Sequence, residues 1–350
     1  MDVYEKLREK IDKSNPVPTP ATESKVEIEI LKRIITPEEA EICCHLSPQP
    51  EDAGTLSKQT GMAVEKLRAV LDVLVRKGMI FKVYAPEPLY SLVPMMPGIY
   101  EFQLGKLSPE MVKLFEKYYD EKHGKAVLSN KTPLTRVVPI QKSIKTDLNI
   151  LNYEEVENLI EQAGTVALAD CICRSNKKMI GEGCDAPVDE ICILFDLWAD
   201  YYAQNGMGRR VTKEEGKGAL KRAEDAGLVH NALNVQGGSF MICNCCGCCC
   251  ALLRGITQLN IPTAVAKSNF IAEIKEDECT GCGNCEEICQ IKAIELVDSV
   301  AVLNKERCIG CGVCVSNCPV EAITMIRREE ETIPPPSLDD LMVKISEGRL

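Results

Sequence analysis

ECTGCGNCEEICQIKAIELVD at Glu278–Asp298 and RCIGCGVCVSNCPVEAITMI at Arg307–Ile326 are two copies of one pattern, with Cys308 standing 29 residues after Cys279. Each copy reads C-x2-C-x2-C-x3-C: Cys279, Cys282, Cys285 and Cys289, then Cys308, Cys311, Cys314 and Cys318. Thiolates two residues apart on a tight loop turn to one side and can wrap one polynuclear centre. Gly281, Gly283, Gly310 and Gly312 let that loop curl, and its N–H groups then point toward an anionic centre. Each copy predicts a strand, the cysteine loop, a short helix and a second strand.

This spacing resembles the bacterial two-cluster ferredoxins, with Pro319 completing the C-P of the second copy. In that family the fourth cysteine of each run ligates the other cluster. The resemblance therefore implies two [4Fe–4S] clusters, one on Cys279, Cys282, Cys285 and Cys318 and one on Cys308, Cys311, Cys314 and Cys289. Gln290 departs from the pattern, standing where the first copy usually has proline; we expect a looser turn and no lost ligand. A zinc ribbon is the competing reading, since C-x2-C pairs can supply zinc with four thiolates. Two complete copies exceed what it needs.

Twelve of the 20 cysteines lie elsewhere. Cys43 and Cys44 fall in an apolar helix, AEICCHL, and read as small core residues. Cys171 and Cys173 (ADCICR), Cys184 (GEGCDAP) and Cys192 (EICILF) follow C-x-C-x10-C-x7-C. CNCCGCCC holds Cys243, Cys245, Cys246, Cys248, Cys249 and Cys250, with Gly247 expected to supply a sharp turn. Six thiols in eight residues are hard to explain as packing, because neighbouring side chains point in different directions. Soft thiolates select zinc, copper(I) or iron–sulfur centres. One or both motifs are expected to hold a third site: a [4Fe–4S] cluster, a non-cubane cluster or zinc. The CCG resembles the cysteine-rich domains of heterodisulfide reductases, but the spacing departs and no residue carries over. ADCICR, GEGCDAPV, GRR, KEE, AGLVH, ICNCCGCCC and the closing ferredoxin run together resemble multi-cluster iron–sulfur proteins of anaerobic bacteria. That likeness implies electron transfer and names no reaction.

Working outward, GTLSKQTGMAVEKLRAVLDVLVRKGMIFKV (Gly54–Val83) resembles a winged helix-turn-helix. Helices are predicted over Glu27–Leu46, Gly54–Gly61 and Met62–Lys77, the last with Val64, Leu67, Val70, Leu71, Leu74 and Val75 near helical spacing. Strands are predicted over Ile80–Tyr84 and Leu89–Val93. The expected class is a multidomain α+β chain. Residues 1–25 form a polar lead-in, 26–94 a winged-helix-like domain and 95–150 a helical connector with a helix over Pro109–Lys122. Residues 151–265 form an α-rich, cysteine-rich domain, 266–328 a dicluster ferredoxin fold with two small antiparallel hairpins, and 329–350 a tail whose Leu338–Ile345 stretch docks as a helix.

The formal net charge is −11. An acidic chain suits protein partners better than nucleic acid or membrane. No secretory signal follows Met1–Lys13, no apolar run spans a bilayer, and clustered thiols suit a reducing cytoplasm. No Walker or Rossmann fingerprint occurs, so neither nucleotide nor flavin is expected. His230 is expected at the surface or as a cap; Arg174 is expected to offset cluster charge, anchor an acidic partner or form a surface salt bridge. The leading function is an electron carrier or electron-input subunit serving a partner oxidoreductase. The acidic Glu276, Asp277, Glu278, Glu286 and Glu287 suit such docking. The alternatives are a reductase with a special cluster in the middle domain and an iron–sulfur-responsive transcription regulator.

Overall fold

The computed structural model describes residues 2–144 and 150–349. Its first helix, Val3–Ser14, is capped by Asp2 and buries Tyr4, Leu7 and Ile11, one stripe of a 3.6-residue period. The predicted Glu27–Leu46 helix is two helices, Val26–Ile34 and Pro37–Cys43. Pro37 disfavours helical backbone at the residue before it. Thr36 is accordingly extended, and with Glu39 it forms a capping box that starts the second helix.

Ala53–Thr60 is capped by Asp52 and ends at Gly61, whose φ of 70° closes the helix. Val64–Arg76 buries Leu67, Leu71, Leu74 and Val75. Ile80–Val83 and Leu89–Leu92 form a hairpin, and Glu51–Asp52 adds a short third strand against Leu89 and Tyr90. The hairpin faces inward. Phe81 packs on Trp198 and Tyr201, and the Tyr201 hydroxyl donates to the Ile80 carbonyl at 3.0 Å. One apolar core therefore runs from the N-terminal helices into the middle of the chain.

That middle region differs from the α-rich domain expected. It is built on a six-stranded antiparallel sheet, ordered Thr135–Val138, Val229–Leu233, Met241–Cys245, Cys192–Phe195, Val166–Ala169 and Gly208–Val211. The strands are short and several are buried on both faces, as in VALA at Val166–Ala169. Without polar alternation such runs cannot be told from buried helix by period. The edge strand Thr135–Val138 comes from the stretch read as helical connector. That stretch also supplies helices Pro109–Tyr118 and Gly124–Leu128.

The cysteine repeat forms two two-stranded sheets. Ile294–Val297 and Val300–Leu303 make the expected hairpin. The other pair is not a hairpin: Phe270–Ile274, the first strand, pairs with Ile323–Arg327, the last. Each copy thus completes the sheet of the other. The helix Leu338–Glu347 buries Leu341 and Ile345 against Val17, Leu134, Leu233 and Val235. No helix among the described residues is long and apolar enough to cross a membrane.

Candidate metal centres

The repeat arranges its eight cysteines as two separate sets. Cys279, Cys282, Cys285 and Cys318 line one cavity of about 20 Å³. Cys289, Cys308, Cys311 and Cys314 line another of about 20 Å³. Each set draws three thiols from one copy and one from the other. Glycines make the close turns: Gly281 and Gly310 have φ of 65° and 72°, and a Cβ there would strike the Ser299 and Phe270 carbonyls. The first set lies outward, with Cys282 exposed. The second faces the rest of the molecule, where the Ile140 N–H donates to the Cys311 carbonyl at 3.0 Å and the Ser143 hydroxyl to that of Gly312 at 2.9 Å.

Gln290 does more than loosen a turn. Its Oε1 accepts from the Gly247 N–H at 2.9 Å and its Nε2 donates to the Gly227 carbonyl at 2.9 Å. Proline could make neither bond. Gly247 opens the expected turn, over residues 247–249, but without a left-handed φ, so the turn alone does not require glycine. It is there for close approach: a Cβ would lie 1.7 Å from the Gln290 carbonyl oxygen. The inner cysteine set is therefore docked directly on the CNCCGCCC loop.

The ten middle cysteines separate into a group of four and a group of six. Cys184, Cys246, Cys248 and Cys249 bring their sulfurs within 4.8 Å of one another, as a group that could hold a metal ion. Cys184 lies 3.8 Å from both Cys246 and Cys249, and Cys248 lies 3.6 Å from Cys249. Hydrogen bonding from Cys249 and the charge of Arg174 pull the Cys246 thiol down to about 4, although burial opposes this, so it is a thiolate at neutral pH. Cys248 is exposed and opens this group to solvent.

The other six follow from strand geometry. Cys243 and Cys245 sit two apart on Met241–Cys245 and share one face of the sheet. The register pairing Ile193 with Ile242 sets Cys192 beside Cys243. Cys171 stands at the N-cap position of the helix Ile172–Met179, and Cys250 at that of Ala251–Thr257. The thiols form one contiguous series. Cys171 neighbours Cys173, Cys173 neighbours Cys250, Cys250 lies 3.2 Å from Cys245, and Cys243 joins Cys245 to Cys192. Hydrogen bonds from Cys173 and Cys245 hold the Cys250 thiol down at about 5. Glu116 ties these two helices together, pairing with Lys177 at 2.7 Å and Arg254 at 2.8 Å.

Arg174 separates the two groups. It is fully buried, not on the surface, and no ion pair to a carboxylate reaches it among the described residues. Its Nε donates to the Pro187 carbonyl at 2.7 Å and its Nη1 to that of Asn244 at 2.8 Å and toward Cys246 Sγ at 3.9 Å, while Nη2 has no partner among the described residues. Burial works against its charge, but Cys171 and Cys246 outweigh that and hold its pKa up. His230 is likewise buried, correcting the surface expectation. It lies on an inner strand of the sheet, with Nδ1 2.6 Å from Asn244 Oδ1.

The six thiols form one wall of a chamber of about 130 Å³ whose other walls include Met96, Leu128, Trp198, Tyr202 and Phe240. Glu101 and His123 also reach it. Burial raises the Glu101 carboxyl to about 7 and lowers the His123 imidazole to about 3, so His123 is neutral. Sequence reasoning missed Glu101, Glu116 and His123 because nothing local marks them; they reach the site across long chain separations. Cys43 is a buried core residue whose thiol burial pushes up, and Cys44 is half-buried.

Residues 272–325 match the family model of the 4Fe-4S dicluster domain. No curated protein matches the chain. The matched stretch contains both cysteine-lined cavities of the repeat, and the chain is an iron–sulfur protein carrying a dicluster domain over these residues.

Proposed function

We propose that this protein relays low-potential electrons, taking them up through two [4Fe–4S] clusters and passing them into its cysteine-rich middle domain or to a partner oxidoreductase. One cluster is held by Cys279, Cys282, Cys285 and Cys318, the other by Cys289, Cys308, Cys311 and Cys314. The observation that carries the reading is the docking of the inner cysteine set on the CNCCGCCC loop through Gln290 and Gly247. It gives electrons a short path from the outer cluster to the inner one and on into the middle domain. Exposed Glu276, Asp277, Glu278, Glu286 and Glu287 stand near Cys282 at the outer end and suit a basic redox partner. Twenty thiols suit a reducing, cytoplasmic setting.

The four-thiol group suits a single tetrahedral ion. Zinc–sulfur bonds of about 2.3 Å place tetrahedral sulfurs about 3.8 Å apart; here Cys184 lies 3.8 Å from Cys246 and Cys249, Cys248 lies 3.6 Å from Cys249, and all four sulfurs are within 4.8 Å of one another. A cubane needs room for its own iron and sulfide beside its thiols, as the repeat provides, and the chamber lined by the other six thiols is not lined by these four. The N-terminal helices and hairpin, read as a winged helix, serve as a docking scaffold in this proposal. Arg68, Lys77 and Lys82 are paired with Glu87, Glu39 and Asp72, and exposed Lys66 and Arg76 share their helix with exposed Glu65, a mixed face rather than a strongly basic one for DNA. The chamber beside the six thiols favours a second reading, a reductase whose chemistry takes place there.

Anaerobic purification with iron, sulfide and zinc analysis and EPR of the reduced protein tests the relay. Two interacting [4Fe–4S]⁺ signals and at least about eight irons per chain are expected. Abundant zinc with little iron would sink it.

A further inference from the structure

We infer that Cys171, Cys173, Cys192, Cys243, Cys245 and Cys250 hold an iron–sulfur cluster of their own, distinct from the four-thiol site and seated in the chamber they line. The inference rests on the iron–sulfur reading of the repeat and adds a further centre to it.

Three independent observations carry it. The first is number. A tetrahedral ion takes four thiolates, and six in one contiguous series exceed that, whereas a polynuclear core can share them. The second is space. The chamber of about 130 Å³ is several times larger than the cavities of about 20 Å³ between the thiols of the repeat. It adjoins the thiols on one side, so an inorganic core fits without moving the sheet. The third is charge. Arg174 is fully buried, lines the chamber and, among the described residues, leaves Nη2 without a partner. A buried guanidinium demands a buried anion. Among the described residues no carboxylate pairs with it, and the anion-forming groups about it are thiols of both groups. Arg174 Nη1 lies 3.9 Å from Cys246 Sγ, so the four-thiol group meets its charge on one side. On the chamber side, where Cys171 adds to the same charge balance, a thiolate-ligated iron–sulfur core carries net negative charge and would complete the pairing.

Of the soft-metal centres that thiolates select, iron–sulfur fits best because the dicluster module is docked on the loop that provides Cys243, Cys245 and Cys250. A centre there receives electrons directly. The wall of Trp198 and Phe240 carries no soft ligand, so the side of the core that faces it stays unsheathed, as a site of chemistry needs.

The test uses the full chain, purified anaerobically. Iron, sulfide, zinc and copper are counted in the native protein, in a Cys192→Ser/Cys243→Ser variant, in Cys248→Ser, and in the triple variant. The native chain should hold about four irons beyond the module's about eight. The double variant should lose about four irons and keep the paired EPR signals of the module. Cys248→Ser should leave those four in place, and its metal loss should add to that of the double variant in the triple. A native count of about eight irons overturns the inference, whatever the variants do. So does equal, non-additive loss in the double variant and Cys248→Ser, which would mean one shared centre, or a middle domain that carries only zinc or copper. Loss of the paired EPR signals in the native chain would instead strike the relay itself.

Discussion

His123 shows how far burial sets chemistry at a single position. Its ring lies 4.9 Å from that of Tyr118 and is 2% exposed, and its Nε2 has no partner among the described residues. The folded protein keeps it neutral down to about pH 3, whereas its ordinary value is 6.5. Below pH 6.5 the unfolded chain takes up a proton that the folded chain refuses. The stability present above that pH is therefore lost as pH falls toward 3. At pH 5.5 the expected loss is about 1.4 kcal/mol. Urea denaturation of the metal-loaded protein at pH 7.5 and 5.5 should show it, and His123→Leu should shrink the difference by that amount. An unchanged difference would mean that His123 is already protonated in the fold. Arg174 makes the same point from the other side. Beside a cysteine, the sequence allowed it to be a surface ion pair, and only its complete burial turns it into a charge that needs an anion.

Among elements, the loop Cys245–Cys250 and the turn at Gln290 depend on one another. Gly247 can be nothing larger while the Gln290 carbonyl stays where it is, since an added Cβ would fall 1.7 Å from that oxygen. Gly247→Ala must push the dicluster module away from the middle domain. We expect a cost of about 2 kcal/mol from the forced separation, unchanged iron in the module, and slower electron passage from it. Thermal denaturation and rapid-mixing reduction, with Gly237→Ala as a control in open space, measure both. An unshifted melting temperature would show that the contact yields freely. The helices that Asp52 and Ser337 cap through side-chain oxygens start at or next to the starts read from sequence. The capping box of Thr36 and Glu39, just as local, lies inside the single helix expected over Glu27–Leu46. The sheet was not legible, because four-residue runs such as VALA and CILF have no alternation to read.

Across the whole molecule, charge and path are aligned. The exposed acidic residues gather at the outer end of the dicluster module, and the inner end abuts the middle domain. Electron delivery to a basic acceptor such as a small cationic cytochrome should therefore be salt-sensitive. Reversing Glu276, Glu286 and Glu287 to lysine should slow it several-fold at low ionic strength and make little difference at high. Stopped-flow rates at two salt concentrations decide this. A rate that ignores both salt and charge reversal would place the docking surface elsewhere.

The sequence by itself determined the two-copy cysteine module and its eight-thiol pattern, because thiolates at two- and three-residue spacing on glycine turns fix their own geometry. It also marked all ten middle cysteines as unusual. How those ten divide was decided only by the tertiary structure. Strand alternation sends Cys243 and Cys245 to one face, while the loop after them turns Cys246, Cys248 and Cys249 toward Cys184. Cys192 arrives through sheet register, and Cys171, Cys173 and Cys250 through two helices tied by Glu116. These are long-range packing choices, settled by burying an apolar core around one sheet, and no local spacing encodes them.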